Sequence, residues 1–156
     1  MAYVFDTSSF SVLGNYYPER FPSFWEKFDQ AVTAGTIISV REVRRELDFY
    51  IPYPHLSDWV KDHGDIFSPP IPAETQFVST IFSVPHFRML VSEQDLLAGN
   101  LGADPFVIAR AKVINGCVVT EEKKKQHAAK IPNVCERFEI NCTNLQGFME
   151  RERWRF

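Results

Sequence analysis

Apolar residues in this chain come in two kinds of run: short unbroken clusters, and longer stretches at helical spacing. Residues 2 to 5 (Ala-Tyr-Val-Phe), Thr36 to Val40 and Cys117 to Thr120 are short clusters rich in β-branched or aromatic residues. Such continuous runs predict strands buried on both faces. Between them the period changes. Phe24, Phe28, Ala31 and Val32 repeat at helical spacing after Pro22, with Ser23 and Glu26 as a capping box and Gly35 as the stop. Val40, Val43 and Leu47 share one face of a second helix, which Ser39 caps with Glu42 as its capping-box partner. Asp104-Pro105 marks a third helix start, Asp at the N-cap and proline at the first helical position. From Pro105 to Asn115 that helix is apolar nearly all round, which makes it central, and Gly116 closes it.

The stretch from Pro52 to Pro85 breaks the alternation with two proline clusters, Ile51-Pro52-Tyr53-Pro54 and Ser68-Pro69-Pro70-Ile71-Pro72. It reads as an inserted helical layer joined by stiff turns, in which Phe77, Val78, Ile81 and Phe82 bury one side of a helix. Met89 to Val91 predicts a short strand, and Ser92 a cap for the turn after it. Phe138 to Ile140 predicts a last strand before a terminal helix at Leu145 to Met149. Strands alternating with helices in this order predict an α/β fold of three layers. A central parallel sheet of about four or five strands is flanked by helices, with the helical insertion in the middle.

A length of 156 residues fits a single domain, 1–156, and an apolar share of 45% with 14 phenylalanines supplies a substantial core. The net charge of -3 excludes binding to nucleic acid through overall positive charge, though not through a local basic groove. No apolar run is long enough to cross a bilayer, and no basic patch leads into an apolar stretch at the start. Cys117, Cys135 and Cys142 show no Cys-x-x-Cys spacing, and His55, His63, His86 and His127 are scattered. The cysteines therefore read as small buried apolar residues of a cytoplasmic protein, and a zinc site is excluded.

The candidate chemistry lies in acids at strand ends. Ligands of open parallel sheets collect at the carboxyl ends of the strands. Asp6 closes the first strand and Glu121-Glu122 follow Thr120 at the end of another. Asp104 opens the central helix, and Glu46 lies in the helix after the second strand. Four acids converging on one rim repel one another unless an oxygen-seeking cation, Mg²⁺ or Mn²⁺, neutralises them. Glu42 has a capping role and Glu46, one turn further on, has none, so Glu46 is the candidate and Glu42 its replacement should the register differ. Likewise Glu121 replaces Glu122 if the pair points the other way. Arg44 and Arg45 beside Glu46, and Lys123 and Lys124 in the run after Glu122, are candidate contacts to RNA phosphates, or else solvated side chains. The aromatic ending Trp154-Arg155-Phe156 reads as packing on the body.

In order and spacing, Val4-Phe5-Asp6-Thr7-Ser8, Glu46-Leu47, Ala103-Asp104-Pro105-Phe106-Val107-Ile108-Ala109 and Val118-Val119-Thr120-Glu121-Glu122 resemble the motifs of PIN-domain nucleases. Among these the likeness is to the small bacterial and archaeal toxins of VapC type. The resemblance implies a PIN-like fold and a metal-dependent endoribonuclease that hydrolyses RNA phosphodiester bonds. It also implies a homodimer and a cognate antitoxin partner. By motif, Asp6, Glu46, Asp104 and Glu122 would bind the Mg²⁺ or Mn²⁺, and Ser8 and Thr120 would be supporting polar groups. The family often carries aspartate where Glu122 stands. A non-catalytic PIN-like module that binds RNA or protein is the alternative reading. A phosphoryl-handling signalling domain fits less well, because Ser8 stands where a phosphatase of that kind wants a second Asp.

Overall fold

In the computed structural model, which describes residues 1–49 and 51–156, the first buried cluster forms β1 (Tyr3–Phe5). The chain then turns into α1 (Thr7–Leu13), capped by Asp6, and runs through α2 (Pro22–Thr33) into β2 (Ile37–Val40). Next come α3 (Arg41–Phe49), α4 (Pro54–Asp62), a 3-10 turn at Gly64–Ile66, and the two-residue β3 (Phe67–Ser68). Helix α5 (Pro72–Ser83), a 3-10 segment at Pro85–Leu90 and α6 (Glu93–Leu97) complete the middle of the chain. The second half of the sheet is built from α7 (Asp104–Ile114), β4 (Cys117–Val119), α8 (Ile131–Arg137), β5 (Asn141–Thr143) and α9 (Leu145–Arg151).

The five strands are all parallel, in the order β3-β2-β1-β4-β5. Tyr3 stands opposite Ile37 on one side and Cys117 on the other, so β1 is the centre of the sheet. The chain leaves β1 toward β2 and later returns on its other side as β4. That reversal is where crevices open at the carboxyl edge of such sheets. The expected α/β architecture is therefore present, with five strands and helices packed around them.

Packing explains the centre. Val4, Phe5, Ile37, Val118 and Val119 are fully buried, as are Val107, Ile108 and Ala109 of α7. Phe5 meets Phe10, Phe28 and Phe148 at ring distances of 5.7, 5.8 and 5.3 Å, joining three helices to one strand. Trp154 lies 4.9 Å from the Phe148 ring and 6.1 Å from that of Phe24, which bears out the packing role expected of the aromatic ending.

Several local expectations are corrected. Helix α2 has Phe21 at its N-cap with no side-chain cap bond; Pro22 alone starts it, and no Ser23–Glu26 box forms. Ser39 lies inside β2, where its hydroxyl donates to Phe5 O (2.7 Å), so α3 has no cap from it and Glu42 no box. Met89–Val91 is not a strand: Met89 and Leu90 end the 3-10 segment, started by Pro85. Ser92 does cap α6, accepting from Asp95 N. The last strand sits three residues later than expected, because Glu139 takes a left-handed φ of 57° and breaks extended backbone at 138–140. Helix α7 ends on Asn115 in the left-handed region, while Gly116 is needed for space: a Cβ there would meet Ala2 O at 2.6 Å.

Candidate active site

Asp6 follows β1 directly, in the crevice between the carboxyl ends of β1 and β4, and its side chain is the most completely held of the acids. Its Oδ1 accepts from Ser9 N, Ser9 Oγ and Ser8 Oγ, each at 2.8 Å. Its Oδ2 accepts from Ser8 Oγ (2.9 Å) and Thr120 Oγ1 (2.5 Å). Asp6 thus has a structural role, as the N-cap of α1, beside any chemical one. Hydroxyl donors surrounding a buried carboxylate fix its direction and stabilise its charge. Ser8 and Thr120, singled out in the sequence, are two of those donors. Ser9 is a third that sequence reasoning missed, although the spacing Asp6-x-x-Ser9 at a helix start is a visible capping signal. Its hydroxyl also donates to Val119 O (2.6 Å), tying α1 to β4.

Glu46 approaches from α3, where Thr7 Oγ1 donates to its Oε1 (3.2 Å). Burial raises its pKa, the Thr7 bond opposes that, and the Asp6 and Glu122 charges add to the rise. Asp104 enters from the first turn of α7. Ala103, not Asp104, is the N-cap, so the expected capping role is corrected; the Asp104 side chain makes no cap bond. Its pKa is pushed up to about 8, first by burial and then by Glu122, Asp6 and Glu46, against a lowering pull from Lys130. Asp104 therefore lies in the field of the other three predicted acids, and Glu46 in that of Asp6 and Glu122.

Glu121 and Glu122 point differently, as adjacent residues must. Glu121 turns away and accepts from Leu145 N (2.8 Å) at the start of α9. Glu122 faces the cluster, its N–H donating to Thr120 Oγ1 (3.1 Å), while its Oε2 accepts from Ile131 N (2.9 Å) at the start of α8. Glu42 is buried beside Arg41, whose Nη2 donates to its Oε1 at 2.9 Å. It shares with Glu46 a cleft of about 520 Å³ that Arg45 and Phe49 also line. Arg45 is exposed at that cleft, whereas Arg44 leans toward Asp48 (3.8 Å). Lys123 is exposed on a second cleft, of about 590 Å³, beside Thr120 and Glu122. Lys124 lines it too, but pairs with Glu136.

Among the described residues no three His, Cys, Asp or Glu side chains are gathered tightly enough to be a ready metal shell. The donors fit a hard cation in kind, since Asp6, Glu46, Asp104 and Glu122 offer only carboxylate oxygen. Burial, and after it the charges of Glu122, Asp6 and Glu46, raises the Asp104 pKa, and a bound cation would offset both causes. Glu122 is the acid whose present bond, to the α8 backbone, competes with such a role.

With this geometry in view, comparisons with known proteins place the fold. The model of a family described as "Domain of unknown function (DUF4411)" matches residues 3–156. A search of curated proteins finds no match in sequence. Among solved structures, the chain resembles a chain in the crystal structure of VapBC2 from Rickettsia felis bound to a DNA fragment from their promoter. The TM-score is 0.53 and the identity 11%, over 92% of this chain and 98% of that one. PAE2754 from Pyrobaculum aerophilum overlaps at a TM-score of 0.44 and 13% identity, over 89% and 97% of the two chains. The first likeness carries the fold, which is PIN-like; at such identity it carries nothing else.

Proposed function

The chain belongs to the DUF4411 family, and from its strand-end acids we propose that it is a metal-dependent endoribonuclease, the toxin of a toxin–antitoxin pair. The observation that carries this is the placement of Asp6 directly after β1, Glu122 after β4 and Asp104 in the first turn of α7, with Thr120 at the end of β4 bonded to the Asp6 carboxylate. A fold can host many activities, so the argument rests on that site. Bound Mg²⁺ or Mn²⁺ would neutralise the acids, make a coordinated water a better nucleophile and offset charge on the phosphate under attack.

The chain's own residues prepare that chemistry. Ser8, Ser9 and Thr120 aim the Asp6 carboxylate and keep it from rotating. Thr7 orients Glu46, and the α7 backbone presents Asp104 beside both. Arg45 and Lys123 are exposed on clefts that Glu46 and Glu122 also line, and in this reading they bind backbone phosphates of the RNA. The partners proposed are an RNA substrate, a second copy of the chain and an inhibiting antitoxin. The last of these rests on the likeness of the motifs around Asp6, Asp104 and Glu122 to those of VapC-type toxins.

The test is cleavage of a mixed-sequence RNA by the purified protein with and without Mg²⁺ or Mn²⁺. Wild type cuts only with metal, and Asp6→Asn and Asp104→Asn each cut on the order of 100-fold more slowly. Metal-independent cutting, or Asp6→Asn as active as wild type, would sink the assignment. A second reading, an RNA- or protein-binding module without catalysis, draws on one observation: Glu122 already holds the α8 N-terminus. It predicts that wild type binds the RNA and leaves it whole at every metal concentration.

A further inference from the structure

Phe49, the last residue of α3, is the most exposed large apolar side chain among the described residues, at 93%. Exposure alone decides nothing, since single apolar side chains are common on protein surfaces. Its place does. Helix α3 packs Val43 and Leu47 into the core, while Glu42, Arg45, Glu46 and Phe49 recur at spacings of three and four residues along another face. Those four line the cleft of about 520 Å³, to which α6 and the loop before α7 add Asp95, Asn100 and Gly102. Phe49 also lines a neighbouring cleft of about 570 Å³, with Arg44, Ser57 and Lys61. Among the described residues it alone belongs to both.

Charge is arranged around the ring. Glu42 is answered by Arg41 (2.9 Å) and Asp48 by Arg44 (3.8 Å), and Asp95 accepts from Ser92 Oγ (2.7 Å). Among the described residues Arg45 and Lys61 take part in no ion pair. Both are exposed, Arg45 on the first cleft and Lys61 on the second. Glu46 links this surface to the acids: it lines the first cleft three residues before Phe49 and accepts from the Thr7 hydroxyl of α1.

We propose that Phe49 is a stacking platform for a base of single-stranded RNA entering the acid site, with Arg45 and Lys61 holding neighbouring phosphates.

This platform rests on the ribonuclease reading for the nature of its ligand. A solvated phenyl ring offers a flat apolar face, and every base has a π-face, so the ring takes bases of any identity. Stacking also removes apolar ring area from water, which nothing within the chain does. A polyanion accounts for the two cations as well as the ring, whereas an apolar protein surface accounts for the ring alone. The site therefore supplies affinity and position along the strand rather than sequence preference.

The test reads binding apart from cleavage. A short single-stranded RNA carrying fluorescein is titrated with the protein and followed by anisotropy, in EDTA and again with Mg²⁺. Phe49→Ala and Phe49→Leu should each bind on the order of 10-fold more weakly than wild type, and Phe49→Trp at least as tightly. Arg45→Ala should weaken binding and reduce its dependence on salt. The same RNA carrying iodouridine, irradiated on the protein, should attach covalently to Phe49, as located by mass spectrometry of the peptides. Because the ring is exposed, the Phe49 variants lose no core contact and should match wild type in circular dichroism. Equal affinities of wild type and Phe49→Ala would overturn the platform even if the protein cuts RNA, as would no binding by wild type in either buffer. A cross-link elsewhere would do the same. So would Phe49→Ala that separates a dimer into monomers with RNA binding unchanged, since the ring would then be a contact between copies. Binding that depends on Phe49, by a protein that never cuts, would uphold the platform and refute the nuclease reading instead.

Discussion

Asp104 sits in the first turn of α7, buried against Glu122, Asp6 and Glu46, with only Lys130 acting in the other direction. Its pKa of about 8 stands far above the ~3.9 of an exposed aspartate. The folded protein therefore keeps a proton that the unfolded chain releases across the window from about pH 4 to about pH 8. Without metal, stability falls as pH rises through that window and levels off above it. Asp104→Asn removes the ionisable group and leaves a similar volume. By urea titration the variant should exceed wild type by on the order of 2 kcal/mol at pH 9 without metal, with the gap closing toward pH 4. Excess Mg²⁺ should raise wild type and leave the variant unmoved. Parallel pH curves for the two proteins would show that Asp104 does not bear the strain of the cluster. At this scale the positions of Asp6, Asp104 and Glu122 were legible because they follow a strand or begin a helix, whereas Glu46, inside α3, was singled out only because it had no capping role. Their partners were not: Ser9 donates to Asp6 through a helix turn, and Ile131 holds Glu122 through a backbone N–H that no side-chain pattern announces.

Between elements, the least expected device is the ion pair of Glu74 on α5 and Arg110 on α7, both buried. Arg110 also donates to Ser39 O (3.1 Å), Ser68 Oγ (2.8 Å) and Pro69 O (3.1 Å), so one guanidinium ties α7 to β2 and to the edge strand β3. Glu74 in turn accepts from Ile71 N (2.9 Å), which starts α5. Removing one partner leaves the other charge buried without its counter-ion, which costs far more than the pair contributes net. Glu74→Leu should therefore lose roughly 3–5 kcal/mol in denaturant melts, and Glu74→Leu with Arg110→Leu should regain a good part of it. A double variant as unstable as the sum of the singles would mean that the two act independently. The pattern of apolar positions could not reveal this pair, because it made α7 apolar nearly all round and left its one arginine unexplained. The same blindness hid β3: two residues of strand among prolines have no period to detect, and only their pairing with Ser39 and Val40 defines them. Strands β1, β2 and β4 were legible for the opposite reason, being continuous apolar runs that only a sheet covered on both faces can bury.

Across the whole molecule, one core runs from Tyr3 to Phe148 without a break. It takes in Trp25 and Trp59 from α2 and α4 and has Trp154 packed against its edge. Phe148 of α9 is the keystone of that continuity, edge-on to Tyr3 (4.8 Å) and Phe5 (5.3 Å) on the central strand. The middle of the chain, which read as an insertion, is bound into the same core through Leu56, Phe67, Ile81 and Phe87. Residues 1–156 should therefore unfold as one domain rather than shed the middle segment or the C-terminal end first. Tryptophan fluorescence reports three sites on α2, on α4 and near the C-terminus, whereas far-ultraviolet circular dichroism reports all helices together. Both should give one coincident transition in urea, and the calorimetric and van't Hoff enthalpies should agree. Phe148→Ala should lower that shared midpoint by roughly 3–5 kcal/mol of stability without splitting it, since it empties a fully buried ring site at the junction. An early fluorescence change that Trp154→Phe abolishes would show that the C-terminal segment melts alone. It would also separate α9, and with it the anchor of Glu121, from the sheet that carries the acids.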